Sequence, residues 1–270
     1  MVLSENDFSR LMRYVKQNYG IDLRNKKELI VGRLSGEIAR KGFRDFHEYV
    51  DRIIGNHNQA DAEEMLNYLT TNYTYFMREP EHFKYFQNVV LPNLVEKHKK
   101  DKVLSIWSAG CSSGQEPYTL SMILKDYFSK KGEDWDTRIL ATDISKKILT
   151  KAQEGIYKEG GIRDLPEEWK QKYFEKNKND DTYTISKEIR DNVIFKEFNL
   201  MSEINFKRKM DVIFCRNVMI YFDKGTQGEL IGRLNQATNP GGYLFIGHSE
   251  NITLTGTDYQ HVISAGFRKL

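Results

Sequence analysis

From Val103 onward, short runs rich in β-branched and aromatic residues alternate with stretches of helical spacing. The runs are VLSIWS (103–108), RILATD (138–143), NVIFKEF (192–198), DVIFCRN (211–217) and GYLFIG (242–247). This alternation predicts an α/β fold with a mostly parallel sheet covered on both faces. HVISAGFRKL (261–270) predicts one further strand. One stretch departs from the pattern: RDLPEEWKQKYFEK is followed by the polar, turn-rich NKNDD and then by YTISKEI. Residues 165–198 are therefore expected to hold a small antiparallel β excursion.

Residues 1–70 read differently. Phe8, Leu11, Met12 and Val15 recur at helical spacing, as do Leu29, Ile30, Leu34 and Ile38, and then Phe46, Tyr49, Val50 and Ile53. Breaks at Gly20, Gly42 and Gly55 separate them. A small all-helical N-terminal domain is expected, followed by an interdomain segment over 71–90 and a second domain over 91–270. EHFKYFQNVVLPNLVEKHKK (81–100) predicts a further helix, with Pro80 at its start.

Bulk properties narrow the function classes. The net charge of +3 on 270 residues is too small to suggest nucleic acid as a partner. No apolar run reaches membrane-spanning length, and MVLSENDFSR has no signal-peptide core. Two cysteines, Cys111 and Cys215, are too few for a disulfide framework, which points to a reducing cytosol. The six histidines show no metal-ligand spacing, so no metal is expected.

The chemistry is carried by WSAGCSSGQEPYTL (107–120), where a buried strand feeds a helix through a loop of small residues. In parallel α/β sheets, ligands sit beyond the carboxyl ends of the strands. Gly110 lets a ligand approach the backbone. Asp143 ends the next strand, where an acid can accept ribose hydroxyls. A dinucleotide needs the helix mouth for its pyrophosphate, but here the mouth carries Glu116. A carboxylate there suits a ligand with a ribose and a positive charge, such as S-adenosylmethionine. From these residues alone, Glu116 could instead compensate the helix dipole, and Asp143 could cap the helix ISKKILTKAQ.

TNYTYFMREPEHF (71–83), SAGCSSGQEPYTL (108–120), ATDIS (141–145), FNLM (198–201), FCRNVMIYFD (214–223) and PGGYLFIGHSE (240–250) occur in this order. In them the sequence resembles the chemotaxis receptor methyltransferases of the CheR type, over nearly the whole chain. The resemblance implies a class I methyltransferase (Rossmann-like) sheet behind the helical domain. It also implies S-adenosyl-L-methionine as cofactor, S-adenosyl-L-homocysteine as product, and glutamyl methyl esters on receptors. By position, it implies that Asn72, Thr74 and Arg78 close over the methionine end of the cofactor. Glu116 would face its cationic groups and Asp143 its ribose. Asn199 and Leu200 would meet the adenine. Arg216, Asn217 and Tyr221 would lie near the transferring methyl. Arg78 and Tyr221 are the candidates for orienting the substrate carboxylate, a choice the sequence leaves open.

The expected partner is the helical cytoplasmic region of a chemoreceptor, met by a monomer. Members that tether to a receptor tail peptide use the small antiparallel insertion, whose loop typically contains glycines. Here the loop is KNKNDDTY (176–183), without glycine, so tail tethering is not expected. Between Arg24 and Arg44, seven basic residues face two acids. Lys26, Arg33 and Arg40, spaced seven apart, would stack on one helix face. This basic stripe is expected to steer the acidic receptor helix.

Overall fold

The computed structural model describes residues 1–55, 59–70, 72–129, 131–178 and 180–270. The loop at 176–183 thus falls partly outside the described residues.

Four helices form the N-terminal part: α1 (Glu5–Tyr19), α2 (Lys27–Arg40), α3 (Phe46–Gly55) and α4 (Gln59–Leu69). Ser4 caps α1 by accepting from the Asp7 N–H, and Gly20 ends it in the left-handed region at φ 72°. The apolar positions read from the sequence are the ones that pack: Leu11, Val15, Ile30, Leu34, Ile38, Phe46, Val50 and Ile53 are all fully buried.

After the strap 72–79 a helix runs from Pro80 to Lys97. It comprises α5 (Pro80–Tyr85), a π turn (Phe86–Val90) and α6 (Leu91–Lys97). The Leu91 N–H reaches back to the Phe86 carbonyl just before Pro92, which has no N–H to give.

The second part follows as β1 (Ile106–Ala109), α7 (Gln115–Ser129), β2 (Ile139–Asp143), α8 (Lys146–Glu154), β3 (Ile156–Lys158), α9 (Glu159–Ile162), α10 (Glu167–Tyr173), β4 (Phe174–Lys176), β5 (Thr182–Ile185), α11 (Lys187–Arg190), β6 (Val193–Glu197), β7 (Met210–Cys215), α12 (Lys224–Ala237), β8 (Thr238–Ile246), β9 (Tyr259–Ile263) and β10 (Gly266–Lys269). The main sheet has the order β6-β2-β1-β7-β8-β10-β9. β6, β2, β1, β7 and β8 are parallel, while β10 pairs antiparallel with β8 and β9.

Two expectations need correction. The C-terminal run forms a hairpin of two strands, not one. Its turn carries Ala265 at φ 54°, without the glycine or asparagine that usually marks such a position. The antiparallel excursion expected at 165–198 is displaced. Its three strands, in the order β3-β5-β4, span 156–185, whereas 193–197 pairs in parallel with β2 in the main sheet. β3 is only three residues long, too short to show an alternating pattern.

Alternation along the parallel strands feeds two cores. Ile213, Cys215, Leu244 and Ile246 pack with α12 and the four N-terminal helices in one continuous cluster. Val212, Phe214, Tyr243 and Phe245 face the other way, against the 80–97 helix, α7 and the small sheet. The chain winds from β1 outward to β2 and β6, then returns to β7 and β8 on the other side. The order therefore reverses between β1 and β7, where parallel sheets bind ligands at their carboxyl ends.

Candidate functional site

At that reversal lies a cavity of about 1020 Å³, measured out to its open mouth. Asn72, Thr74 and Arg78 from the strap reach it, with Gly110 and Glu116 from the loop after β1 and Asp143 from β2. Asn199, Leu200, Arg216, Asn217 and Tyr221 line it from the far side. In the sequence these residues stand at separate points over 150 positions, and the fold gathers them around one space.

The glycine loop is held open by neighbours. The Gly110 and Cys111 N–H groups both donate to the Thr142 carbonyl at 2.8 Å. Gly110 has φ 77°, and a Cβ there would sit 2.4 Å from Val218 Cγ2. Asp143 accepts the Ser112 N–H at 2.9 Å on one oxygen and the Ser145 N–H at 3.0 Å on the other. Burial raises its pKa, against the pull of these backbone donors. Each oxygen keeps a further lone-pair direction.

Arg216 and Glu116 do not lie free in the cavity. The Arg216 side chain is 2% exposed and donates to Glu116 at 3.1 Å and to Glu79 at 3.0 Å. It also donates to the Arg78 carbonyl, and its guanidinium lies 5.2 Å from the Phe83 ring centroid. Glu116 further accepts the Ser108 hydroxyl at 2.7 Å. Burial raises the Glu116 pKa, and Arg216 only partly offsets it. Burial also opposes ionisation of Glu79, but Arg216 and the His248 N–H outweigh it, leaving its carboxyl below the usual range. Arg216 is thus the pin that fastens the strap and α7 to the end of β7.

Arg78 is the contrasting cation. Its Nη1 donates to the Tyr73 carbonyl at 2.8 Å, and its guanidinium lies 5.9 Å from the Tyr75 ring centroid. Among the described residues it has no carboxylate partner. Phe76, packed edge-on against Tyr157 and Phe174, anchors the strap to the small sheet.

The helical domain completes the wall. Tyr19 and Ile21 line the cavity, Ile21 forms an antiparallel bridge with Phe222, and the Asp22 N–H donates to the Tyr221 carbonyl at 2.7 Å. Asn199, expected beside an adenine, uses its amide to donate to the Asn18 carbonyl at 2.8 Å and accept the Met201 N–H at 2.9 Å.

A family model described as the CheR methyltransferase all-alpha domain matches residues 6–70, and one described as its SAM binding domain matches residues 72–266. The chain belongs to the CheR methyltransferase family. A chemotaxis protein methyltransferase of Borreliella burgdorferi is 40% identical, over 99% of this chain and 95% of that one. Chemotaxis protein methyltransferase 2 of Vibrio cholerae is 35% identical over 94% and 88%, and the Escherichia coli chemotaxis protein methyltransferase 33% over 94% and 87%. The fold is that of a class I methyltransferase with a helical domain in front, and its cofactor is S-adenosylmethionine. No described helix is long and apolar enough to cross a membrane.

The cavity of this CheR methyltransferase fits that cofactor. The buried Asp143 keeps acceptor capacity, whereas Glu116, expected to face the cofactor's cationic groups, is already paired with Arg216 and Ser108, and Val218 fills the place a Gly110 Cβ would take.

Among the residues the sequence did not point to are Tyr19 and Ile21 on the cavity wall and, just behind it, Glu79 and Glu250. The two glutamates stand in stretches already singled out, REPEHF and GHSE. Glu79 has φ 56°, and Met77, Ser112 and Asn217 also take positive φ around the cavity. Glu79, His82 and His248 bring three potential ligand atoms within 4.8 Å. Both Glu79 oxygens are engaged, by Arg216 on one side and by Asn217 and the His248 N–H on the other. With the Arg216 cation against it, the cluster reads as an ion-pair network. Burial pushes the His82 pKa down to about 4. Cys111 and Cys215 are buried packing residues, their thiols raised by burial.

The basic stripe lies outside the cavity and differs from expectation. Arg33 donates to the carbonyls of Tyr68 and Leu69 at 3.1 Å and of Thr70 at 3.3 Å, so it caps α4. Arg40 grips Glu37 at 2.6 Å, and Lys41 reaches Glu64 and Asp61. Lys26 is exposed and makes no ion pair among the described residues. Reversing Arg33 would therefore test the fold before it tests docking. Arg33→Glu should lower stability by about 1 kcal/mol through the lost cap and an anion at a helix C-terminus, measured as a lower urea midpoint at unchanged slope. An unchanged midpoint would show that the cap contributes nothing.

Proposed function

We propose that this chain methylates glutamate side chains of chemotaxis receptors, forming glutamyl methyl esters in sensory adaptation. The observation that carries the reading is Arg78, a guanidinium on the wall of the cofactor cavity whose described partners include no carboxylate. Arg216, by contrast, is neutralised twice. A cavity that holds one cation open toward its space suits an anionic substrate.

When bound, S-adenosylmethionine supplies an electrophilic methyl, which an ionised carboxylate can take without giving up a proton. A glutamate is ionised near neutral pH, its reference pKa being about 4.3, so the chain needs no general base. Its work is alignment and removal of water. Arg78 orients the incoming carboxylate, with Tyr221 at the same wall. Asp143 holds the ribose, the Gly110 backbone lies along the cofactor with Val218 packed where its side chain would be, and Asn72 and Thr74 close over it from the strap. Leu200 and the backbone around Asn199 form the adenine side. Asn217, beside Arg216, shapes the methyl end. Lys26 and Arg40 are the part of the stripe that remains exposed for an acidic receptor helix, and recognition rests on that helix without a tail peptide.

The test is transfer of labelled methyl from S-adenosylmethionine to chemoreceptor-containing membranes, followed by mild base. Release of the label as methanol is the expected result; base-stable label would overturn the ester. The same assay on receptors lacking their final residues should proceed at nearly the same rate. Arg78→Gln should lower kcat about 100-fold while S-adenosylhomocysteine affinity changes by no more than about threefold. An equal fall in both would give this guanidinium to the cofactor's own carboxylate.

A further inference from the structure

Glu250 is a carboxylate the chemistry above does not use. It follows β8, is 8% exposed, and is absent from the cavity wall. Its Oε1 accepts the N–H of Met219 at 2.7 Å and of Ile220 at 3.3 Å. Its Oε2 accepts the N–H of Asn217 at 3.0 Å and of Gly247 at 2.6 Å. Four backbone donors meet one acceptor-only group with about four lone-pair sites, so nothing is left over. Three of the donors, Asn217, Met219 and Ile220, belong to the tight turn 217–220, and N–H groups converging in such a turn form a concavity that favours an anion.

That turn links the end of β7 to α12, and it shapes the cavity. Asn217 takes φ 59°, the left-handed conformation that asparagine adopts more readily than other residues with a side chain. Met219–Tyr221 forms a single 3-10 turn. Asn217, Val218 and Tyr221 all line the cavity. A second brace supports the same turn from outside: Gln227 donates to the carbonyls of Met219 at 2.8 Å and Phe222 at 3.1 Å. Gly247 lies so close that a Cβ would stand 2.3 Å from the Asn217 side-chain Nδ2 and 2.9 Å from its backbone nitrogen. The Glu250 carboxylate, arriving from the β8 side, closes this arrangement.

We propose that Glu250 is a positioning residue for methyl transfer, its carboxylate building the backbone turn that presents Asn217 and Tyr221 to the cavity. This rests on the reading of the cavity as a methyl-transfer site. The glutamine variant is nearly isosteric, but its NH₂ group can only face the N–H donors with another donor. At least two of the four bonds are lost, and the turn can relax out of the left-handed conformation.

The experiment compares the full chain with Glu250→Gln and Glu250→Asp, the latter keeping the charge on a stem one methylene shorter. In the wild type, amide hydrogen exchange at Asn217, Met219 and Ile220 should be protected. In Glu250→Gln it should be at least roughly tenfold faster at these amides than in the wild type, with exchange in β1 and β2 unchanged. Binding of S-adenosylhomocysteine should change by less than about tenfold, because Asp143 and the glycine loop are untouched. kcat on receptor membranes should fall about 100-fold, and Glu250→Asp should lie between. Protected amides at 217–220 with a wild-type kcat in Glu250→Gln would overturn the proposal. So would a loss of kcat matched by an equal loss of folded protein. If Glu250→Gln does not fold, Glu250→Asp is judged by the same two readouts. The exchange and binding arms use no receptor, so a wild type that fails to methylate receptors would remove the substrate reading and leave the turn to be judged separately.

Discussion

Replacing Arg216 with alanine should lower the unfolding free energy by about 3–5 kcal/mol, the usual cost of removing one partner from a buried ion pair. Glu79 and Glu116 would lose their counter-ion, each in a side chain only 14% exposed, and burial would push both carboxyls further toward the neutral form. For a chain of this size that is a fall of about 10 °C in melting midpoint. The effect carries a pH signature. Glu79 has its folded pKa below the usual range, so the stability it contributes is present above the unfolded value and is lost as pH falls through the folded value. The gap between wild type and Arg216→Ala should therefore narrow as the medium becomes acid. Denaturation curves at neutral and at mildly acid pH check both statements, and a midpoint unchanged at neutral pH would mean the pair is not structural.

Asp143→Ala should weaken cofactor binding roughly tenfold to a thousandfold. Each charge-assisted hydrogen bond to the ribose contributes about 1.5–3 kcal/mol, part of which water recovers. Asp143 also fastens the glycine loop through the Ser112 N–H. Asp143→Asn keeps one acceptor and should therefore fall between the alanine variant and the wild type. Calorimetric titration with S-adenosylhomocysteine is the measurement, and equal affinity in wild type and Asp143→Ala would remove this residue from the site.

Strand and helix patterns were legible because burial imposes a period on the chain. The five parallel strands and the N-terminal helices stand within a few residues of where their apolar spacing puts them. The residues gathered at the cavity were legible because each stands at a strand end or in a loop of small residues, where α/β sheets bind ligands. What could not be read is partnership across long distances. Nothing in the FCRN stretch announces that Arg216 meets Glu79, 137 positions away, as well as Glu116. Charge counting along α2 registered its own basic residues. It could not register the acids Asp61 and Glu64 on α4, nor the helix-end carbonyls that take up Arg33. Glu250 was hidden for the same reason, since its partners are backbone groups with no residue type to give them away. The final hairpin was missed because its turn uses Ala265 where a glycine would have been the signal.

The helical domain contributes Tyr19 and Ile21 to the cavity and reaches across the junction through the Asp22 N–H and the Asn18 carbonyl. Occupancy of the cavity and attachment of the two parts are therefore thermodynamically linked, each favouring the other to the same degree. Cofactor at a hundred times its dissociation constant adds about 2.7 kcal/mol to whatever assembly it requires. A methyl donor seated in this cavity would thus act as a cohesive force on the molecule, and its scarcity would leave the two parts less firmly joined.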